Sequence, residues 1–153
     1  MGRQISADFA GSELIALCVL KGAMFFCSDL MRQISLDVAL DFIQVSSYGS
    51  QKYSSGVVTI LKEPQLDMRG RAVLIVEDII DSGLSMREVF RYIESRGTAT
   101  VKTATFLDKP ASRKVDFKPD YVGFSIDPQF VIGYGLDYAE RYRNIPEIQV
   151  LSD

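Results

Sequence analysis

The chain has 153 residues, 47% hydrophobic and 24% charged, which fits a single globular domain able to bury a core. A net charge of −3 and a pI near 5.0 argue against gripping nucleic acid through a broadly basic surface. The absence of histidine excludes imidazole acid/base chemistry and His-ligated metals, leaving carboxylates, lysines, hydroxyls and a hard, oxygen-preferring cation such as Mg2+.

The start, MGRQISADF, has no signal-peptide apolar region, and no apolar run approaches the ~18 residues of a membrane span, so a cytoplasmic protein with no membrane partner is expected. ELIALCVL (13–20) reads as a buried strand stopping at the turn Lys21-Gly22. In MFFCSDLMRQI, Cys27, Leu30, Met31 and Ile34 fall at i, i+3, i+4 and i+7, one buried helical face. Cys18 and Cys27 have neither zinc-ligand spacing nor disulfide-scaffold density and read as core thiols.

VALDFIQVSS (38–47) returns to strand character, SYGSQKYSSG (47–56) is a polar loop, and VVTIL and RAVLIVE are further strands. Met86, Val89, Phe90 and Ile93 then repeat the helical spacing, closed by Gly97. ATVKTATFL and YVGFSI supply two more strands. Alternation of strands and helices predicts an α/β fold with a mostly parallel, twisted sheet flanked by helices, whose ligands sit at the carboxyl ends of the strands. Lys21-Gly22, Glu77 to Ser85, and Asp108-Lys109 all lie at such ends.

VLIVEDIIDSGLS (73–85) carries the chemistry. Ser82-Gly83-Leu84-Ser85 opens a helix, where unpaired N–H groups and the helix dipole favour an anion and glycine lets a phosphate approach the backbone. Glu77 and Asp78 just upstream suit sugar hydroxyls or a Mg2+ carried by the phosphates. The implied ligand is a phosphorylated ribose. Ser85 and Glu88 would also make a plain capping box, and an acid at position 81 would suit any helix N-terminus. A receiver-type signalling domain also ends an aliphatic strand in acids, but near its chain start and without the Ser-Gly that follows here.

VLIVEDIIDSG resembles the phosphoribosyl pyrophosphate (PRPP) motif of type I phosphoribosyltransferases, and its flanks resemble the hypoxanthine-guanine phosphoribosyltransferase family. LKGAMFFCSDL is similar to that family's pyrophosphate loop, VSSYGS to its catalytic loop, and LDKPASRKVDFKPDYVGFSI with FVIGYGLDYAERYRN to its purine-binding region. The resemblance implies the type I phosphoribosyltransferase fold with a small hood from the chain ends, about residues 1–10 and 115–153. Its match starts within what relatives carry as a longer N-terminal segment, so a slimmer or shortened hood is expected.

The resemblance also implies roles. Glu77 and Asp78 would meet the ribose hydroxyls, directly or through Mg2+, and Ser82, Gly83, Leu84 and Ser85 would cradle the 5-phosphate. Leu84 stands where many relatives have Lys. Asp81 would be the general base near the purine and part of the PRPP site. Lys21 and Gly22, with a cis Leu20–Lys21 peptide, would meet pyrophosphate together with Arg113 and Arg143. Ile79, Phe130, the Val131 carbonyl and Asp137 would form the purine site, and Asp137 would also hold a second Mg2+. Ser47 and Tyr48 would close over the reacting centre. Lys109, a donor with no acceptor, would favour a 6-oxo over a 6-amino purine. The implied reaction is purine salvage, converting hypoxanthine or guanine and PRPP to IMP or GMP and pyrophosphate by a homodimer or homotetramer. A PRPP-sensing RNA-binding regulator on the same fold would call for a basic face that this chain lacks.

Overall fold

The computed structural model describes residues 1–47 and 58–151. Its elements in chain order are α1 (Gly2–Asp8), β1 (Leu14–Leu20), α2 (Met24–Met31), β2 (Val38–Ser47), β3 (Val58–Lys62), β4 (Ala72–Ile80), α3 (Leu84–Ser95), β5 (Thr100–Asp108), a single 3-10 turn (Pro110–Ser112), β6 (Tyr121–Ser125), β7 (Val131–Ile132) and β8 (Gln149–Val150). Six strands form one sheet in the order β3-β2-β1-β4-β5-β6, parallel except for β3, which runs antiparallel to β2. The expected mostly parallel α/β sheet is thus present. Tyr48 and the rest of the polar loop lie outside the described residues; Ser47 ends β2.

The central strands are continuous aliphatic runs because both faces are covered. Along β1, Leu14 and Cys18 enter a cluster with Ile5 and Phe9 of α1 and Phe26, Cys27 and Leu30 of α2. Ile15, Leu17 and Val19 point the other way, against Met86, Val89 and Ile93 of α3. The two-residue period of a strand sorts these neighbours to opposite faces. Both cysteines are free and buried. α2 stops at Met31, with Ile34 buried just beyond it.

β4 does not end at Glu77 but continues through the acids to Ile80, because Glu77, Ile79 and Ile80 still pair with Thr105, Leu107 and Asp108 of β5. The Ser85–Glu88 capping box does not form. Gly83 is the N-cap in the left-handed region (φ 79°), Ser85 already lies inside the helix, and Glu88 pairs with Arg87 and Arg91.

β7 and β8 pair antiparallel in a separate two-stranded sheet. Val131 and Leu136 there share an apolar cluster with Leu107 of β5, with Ile79 packed against it. The Tyr134 ring lies 4.9 Å from that of Phe106, and its hydroxyl donates to Asp29 of α2 at 2.6 Å. Burial and that carboxylate push the Tyr134 hydroxyl up to about 12.

Asp41 is a buried carboxylate whose purpose is structural. It accepts from the N–H groups of Phe42, Gln65 and Leu66 at 2.7, 2.7 and 2.8 Å, tying the 63–71 connection to β2. Asp41→Ala leaves those donors unmatched and should cost about 3 kcal/mol, lowering Tm by roughly 6–12 °C in a thermal melt. Asp41→Asn, which keeps an acceptor, should lose less.

Candidate active site

The sheet order places a topological switch between β1 and β4: from β1 the chain steps to β2 on one side and later returns to β4 on the other. In open α/β sheets the crevice at such a point is where ligands bind. Here the carboxyl ends of β1 and β4 carry Lys21-Gly22 and Glu77-Asp78. The parallel register Cys18↔Val76 brings the turn after Leu20 alongside Asp78. The Leu20–Lys21 peptide is cis. Gly22 is a close-approach glycine, since a Cβ there would run into the Asp78 carboxylate.

A cavity of about 700 Å³ opens at this point. Lys21, Gly22, Glu77, Asp78, Ile79, Ser85, Asp137, Glu140 and Arg143 all contribute to its walls. A smaller one of about 120 Å³ adjoins it, lined by Asp81, Ser82, Gly83, Met86 and Ile80, with Glu77, Ile79 and Ser85 common to both. The smaller cavity sits at the start of α3, where the first N–H groups of a twelve-residue helix face outward without intrahelical partners.

Glu77 and Asp78 are partly buried neighbours on one strand. Glu77 Oε1 accepts from the Asp78 N–H at 3.0 Å and Asp78 Oδ1 from the Ile79 N–H at 2.8 Å. Burial, with the Asp78 carboxylate beside it, holds Glu77 well above the usual carboxylate range. A carboxylate pair so placed suits a hydroxyl-bearing or cationic partner. Among the described residues no three His, Cys, Asp or Glu side chains gather into a metal cage. That donor set fits Mg2+, which is usually held by one or two carboxylates with substrate oxygens and water completing the shell.

Asp81 and Lys109 follow the paired residues Ile80 and Asp108, so the sheet register sets them side by side. Lys109 donates its backbone N–H to Ile80 O at 2.9 Å and its Nζ to Asp81 Oδ2 at 3.4 Å. The Lys109 side chain is 8% exposed and that of Asp81 56%. A lysine so nearly buried, with one long hydrogen bond from its ammonium, retains donor capacity for a further acceptor.

The structure does not bring Arg113 to the Lys21 cluster. The 3-10 turn Pro110–Ser112 folds it back, so its guanidinium pairs with Asp108 and donates to Asp81 O at 2.8 Å. Arg143 does reach that cluster, donating to Gly135 O at 2.8 Å and pairing with Asp137 at 2.9 Å. Phe130 is 52% exposed, its ring set edge-on 5.8 Å from that of Tyr138, whereas Val131 beside it is buried. At that exposure Phe130 is not part of the core.

Glu140 was not singled out from the sequence. It bridges Lys21 (2.9 Å) and Arg143 (3.3 Å), and these two cations hold its carboxyl below the ordinary range. One acid in an acid-rich chain carries no local signal, and its contact with Lys21 spans 119 residues of sequence.

A helix start with outward N–H groups, a carboxylate pair and a basic turn surround one switch-point crevice and define the class: an α/β domain whose site is suited to a phosphorylated, hydroxyl-bearing ligand. The family profile described as "Phosphoribosyl transferase domain" matches residues 2–139. Within that class the chain belongs to the hypoxanthine-guanine phosphoribosyltransferase family of enzymes. It is 47% identical to the hypoxanthine-guanine phosphoribosyltransferase of Bacillus subtilis, over 99% of this chain and 84% of the relative. The structure of a hypoxanthine phosphoribosyltransferase from Staphylococcus aureus superposes with a TM-score of 0.95 at 40% identity, covering 99% and 82% of the two chains. A hypoxanthine-guanine phosphoribosyltransferase from Bacillus anthracis gives 0.94 at 44%, covering 99% and 89%.

Proposed function

We propose that the chain is a purine-salvage enzyme that transfers the 5-phosphoribosyl group of PRPP to N9 of hypoxanthine or guanine, giving IMP or GMP and pyrophosphate. The observation that carries this reading is the convergence of Glu77-Asp78, Lys21-Gly22 and the N-terminus of α3 on adjoining cavities. Ser82, Gly83, Leu84 and Ser85 take the 5-phosphate, mostly through backbone N–H groups, so that leucine at position 84 is compatible with the task. Glu77 and Asp78 meet the ribose hydroxyls, and Lys21, Gly22 and Arg143 meet the pyrophosphate. Arg113 acts one step back, fixing the Asp81 main chain through its hydrogen bond to that carbonyl.

In the reaction the bond from ribose C1 to pyrophosphate breaks, the pyrophosphate leaving with the electron pair, and the bond from C1 to N9 forms. Asp81 accepts the proton drawn from the ring, which makes N9 the better nucleophile. Lys109 donates to the 6-oxo group, Phe130 stacks on the base, and Ile79 and the Val131 carbonyl complete its contacts. Glu77, Asp78 and Asp137 are the residues that would hold Mg2+, which would supply charge neutralisation for the leaving group. Phe130 and Val131 belong to the small hood that this reading assigns to the chain ends, about residues 1–10 and 115–153. Among the described residues no helix is long and apolar enough to cross a membrane; a cytoplasmic homodimer or homotetramer is the reading for place and assembly.

The test is to mix protein, Mg2+, PRPP and hypoxanthine, guanine or adenine separately and follow nucleotide formation. Product is expected with the two 6-oxopurines and little with adenine; no product with either 6-oxopurine defeats the proposal. Gly22→Ala forces the Asp78 carboxylate or the turn to move, and should raise KM for PRPP about tenfold or more, about 1.4 kcal/mol per tenfold. Comparing that KM with the variant's melting temperature separates a local effect from unfolding.

A further inference from the structure

The loop 135–143 meets the Lys21-Gly22 turn at two places. Gly135 (φ 100°) lies so close to the Gly22 carbonyl that a Cβ would overlap it. Glu140 reaches Lys21, and a single oxygen, Oε2, accepts from Lys21 Nζ at 2.9 Å and from Arg143 Nη2 at 3.3 Å. The backbone presents that carboxylate deliberately placed: the Glu140 N–H donates to Asp137 Oδ2 at 2.8 Å. Ala139, Glu140 and Tyr142 hold φ values of 51°, 63° and 75°, left-handed values that non-glycine residues rarely adopt.

Stability does not account for this arrangement. The Lys21 and Glu140 side chains are 54% and 65% exposed, and exposed ion pairs contribute little to folding. The two cations are those that would receive pyrophosphate. With Glu140 in place, Lys21 and Arg143 are balanced by Glu140 and Asp137, so the cluster offers a polyanion no net attraction until the carboxylate leaves.

We infer that Glu140 is an internal stand-in for pyrophosphate, occupying its cations in the free site and yielding them when PRPP or pyrophosphate arrives. The inference rests on the reading of Lys21 and Arg143 as pyrophosphate ligands. An occluded site binds more weakly in proportion to the fraction of molecules in which it is open. Glu140 is thus a positioning residue that weakens the hold on the product and eases its release.

Glu140→Gln keeps the shape and removes the charge. Pyrophosphate titrated into the full chain, with and without Mg2+, should bind about three- to tenfold more tightly, the scale of two exposed ion pairs. KM for PRPP should fall by a similar factor, with no rise in kcat. Glu140→Asp should lie between Gln and the parent. Unchanged or weaker pyrophosphate binding in Glu140→Gln overturns the inference; weakening confined to the Mg2+ arm would make Glu140 a metal-side group instead. Lys21→Ala is the parallel control. If it binds pyrophosphate as the parent does, the site reading and the inference fall together, whereas loss in Lys21→Ala with no gain in Glu140→Gln defeats the inference alone.

Discussion

Asp81→Asn is expected to lower kcat about 10²- to 10⁴-fold while leaving KM for PRPP within a few-fold of the parent. A positioned base contributes about that factor, and asparagine retains the shape and an acceptor but cannot take a proton at neutral pH. The geometry favours a clean result. The Asp81 side chain is 56% exposed beside the small cavity and its main chain is fixed independently by Arg113, so the substitution leaves the backbone in place and alters only the contact with Lys109, for which asparagine keeps an oxygen acceptor. The 5-phosphate contacts come from the residues that follow it and should survive. Single-turnover and steady-state rates with hypoxanthine at saturating PRPP are the measurement. A kcat within threefold of the parent would remove Asp81 from the proton transfer, and a parallel collapse in PRPP binding would show that it serves the phosphate loop instead.

How far the sequence foretold this site follows from the range over which each contact acts. The strands and both large helices were legible because burial imposes a period on consecutive residues: Leu14 and Cys18 against Ile15 and Leu17 on β1, Met86, Val89 and Ile93 on α3. The glycine-containing start of α3 was legible because its chemistry is local. The extension of β4 to Ile80 was not, since it depends on pairing with β5, which outweighs the cost of carrying two acids along a strand. Gly83, not a serine, caps α3, a choice made by the left-handed turn that follows β4. In the hood, β7 and β8 have two residues each, too few for any period to show, and the turns between them rest on left-handed tyrosine, alanine and glutamate residues that no turn rule selects. Glu140, Asp108 with Arg113, and Asp41 act through partners distant in sequence or through backbone N–H groups, and such contacts leave no pattern.

Lys109 should decide which purine is used. Its side chain is nearly buried and its Nζ has Asp81 as a hydrogen-bond partner at 3.4 Å, long enough that a 6-oxo group can claim the remaining donors. A 6-amino group offers those donors only hydrogen, and leaves a buried ammonium facing another donor. Lys109→Ala is therefore expected to raise KM for hypoxanthine and guanine about 10- to 150-fold, the worth of one hydrogen bond to a charged group. PRPP binding, measured by calorimetry without a base, should stay near the parent value because Lys109 does not line the large cavity. The preference for 6-oxopurine over adenine should narrow by a similar factor, since the penalty against the amino group leaves with the ammonium. The contact with Asp81 adds a second consequence. Residues that touch couple by about 0.5–3 kcal/mol, so the Lys109→Ala, Asp81→Asn double variant should lose less than the sum of the two singles in kcat/KM for hypoxanthine. Strict additivity would mean that the ammonium and the carboxylate act on the base separately, and an equal loss of PRPP and purine binding in Lys109→Ala would remove it from base selection.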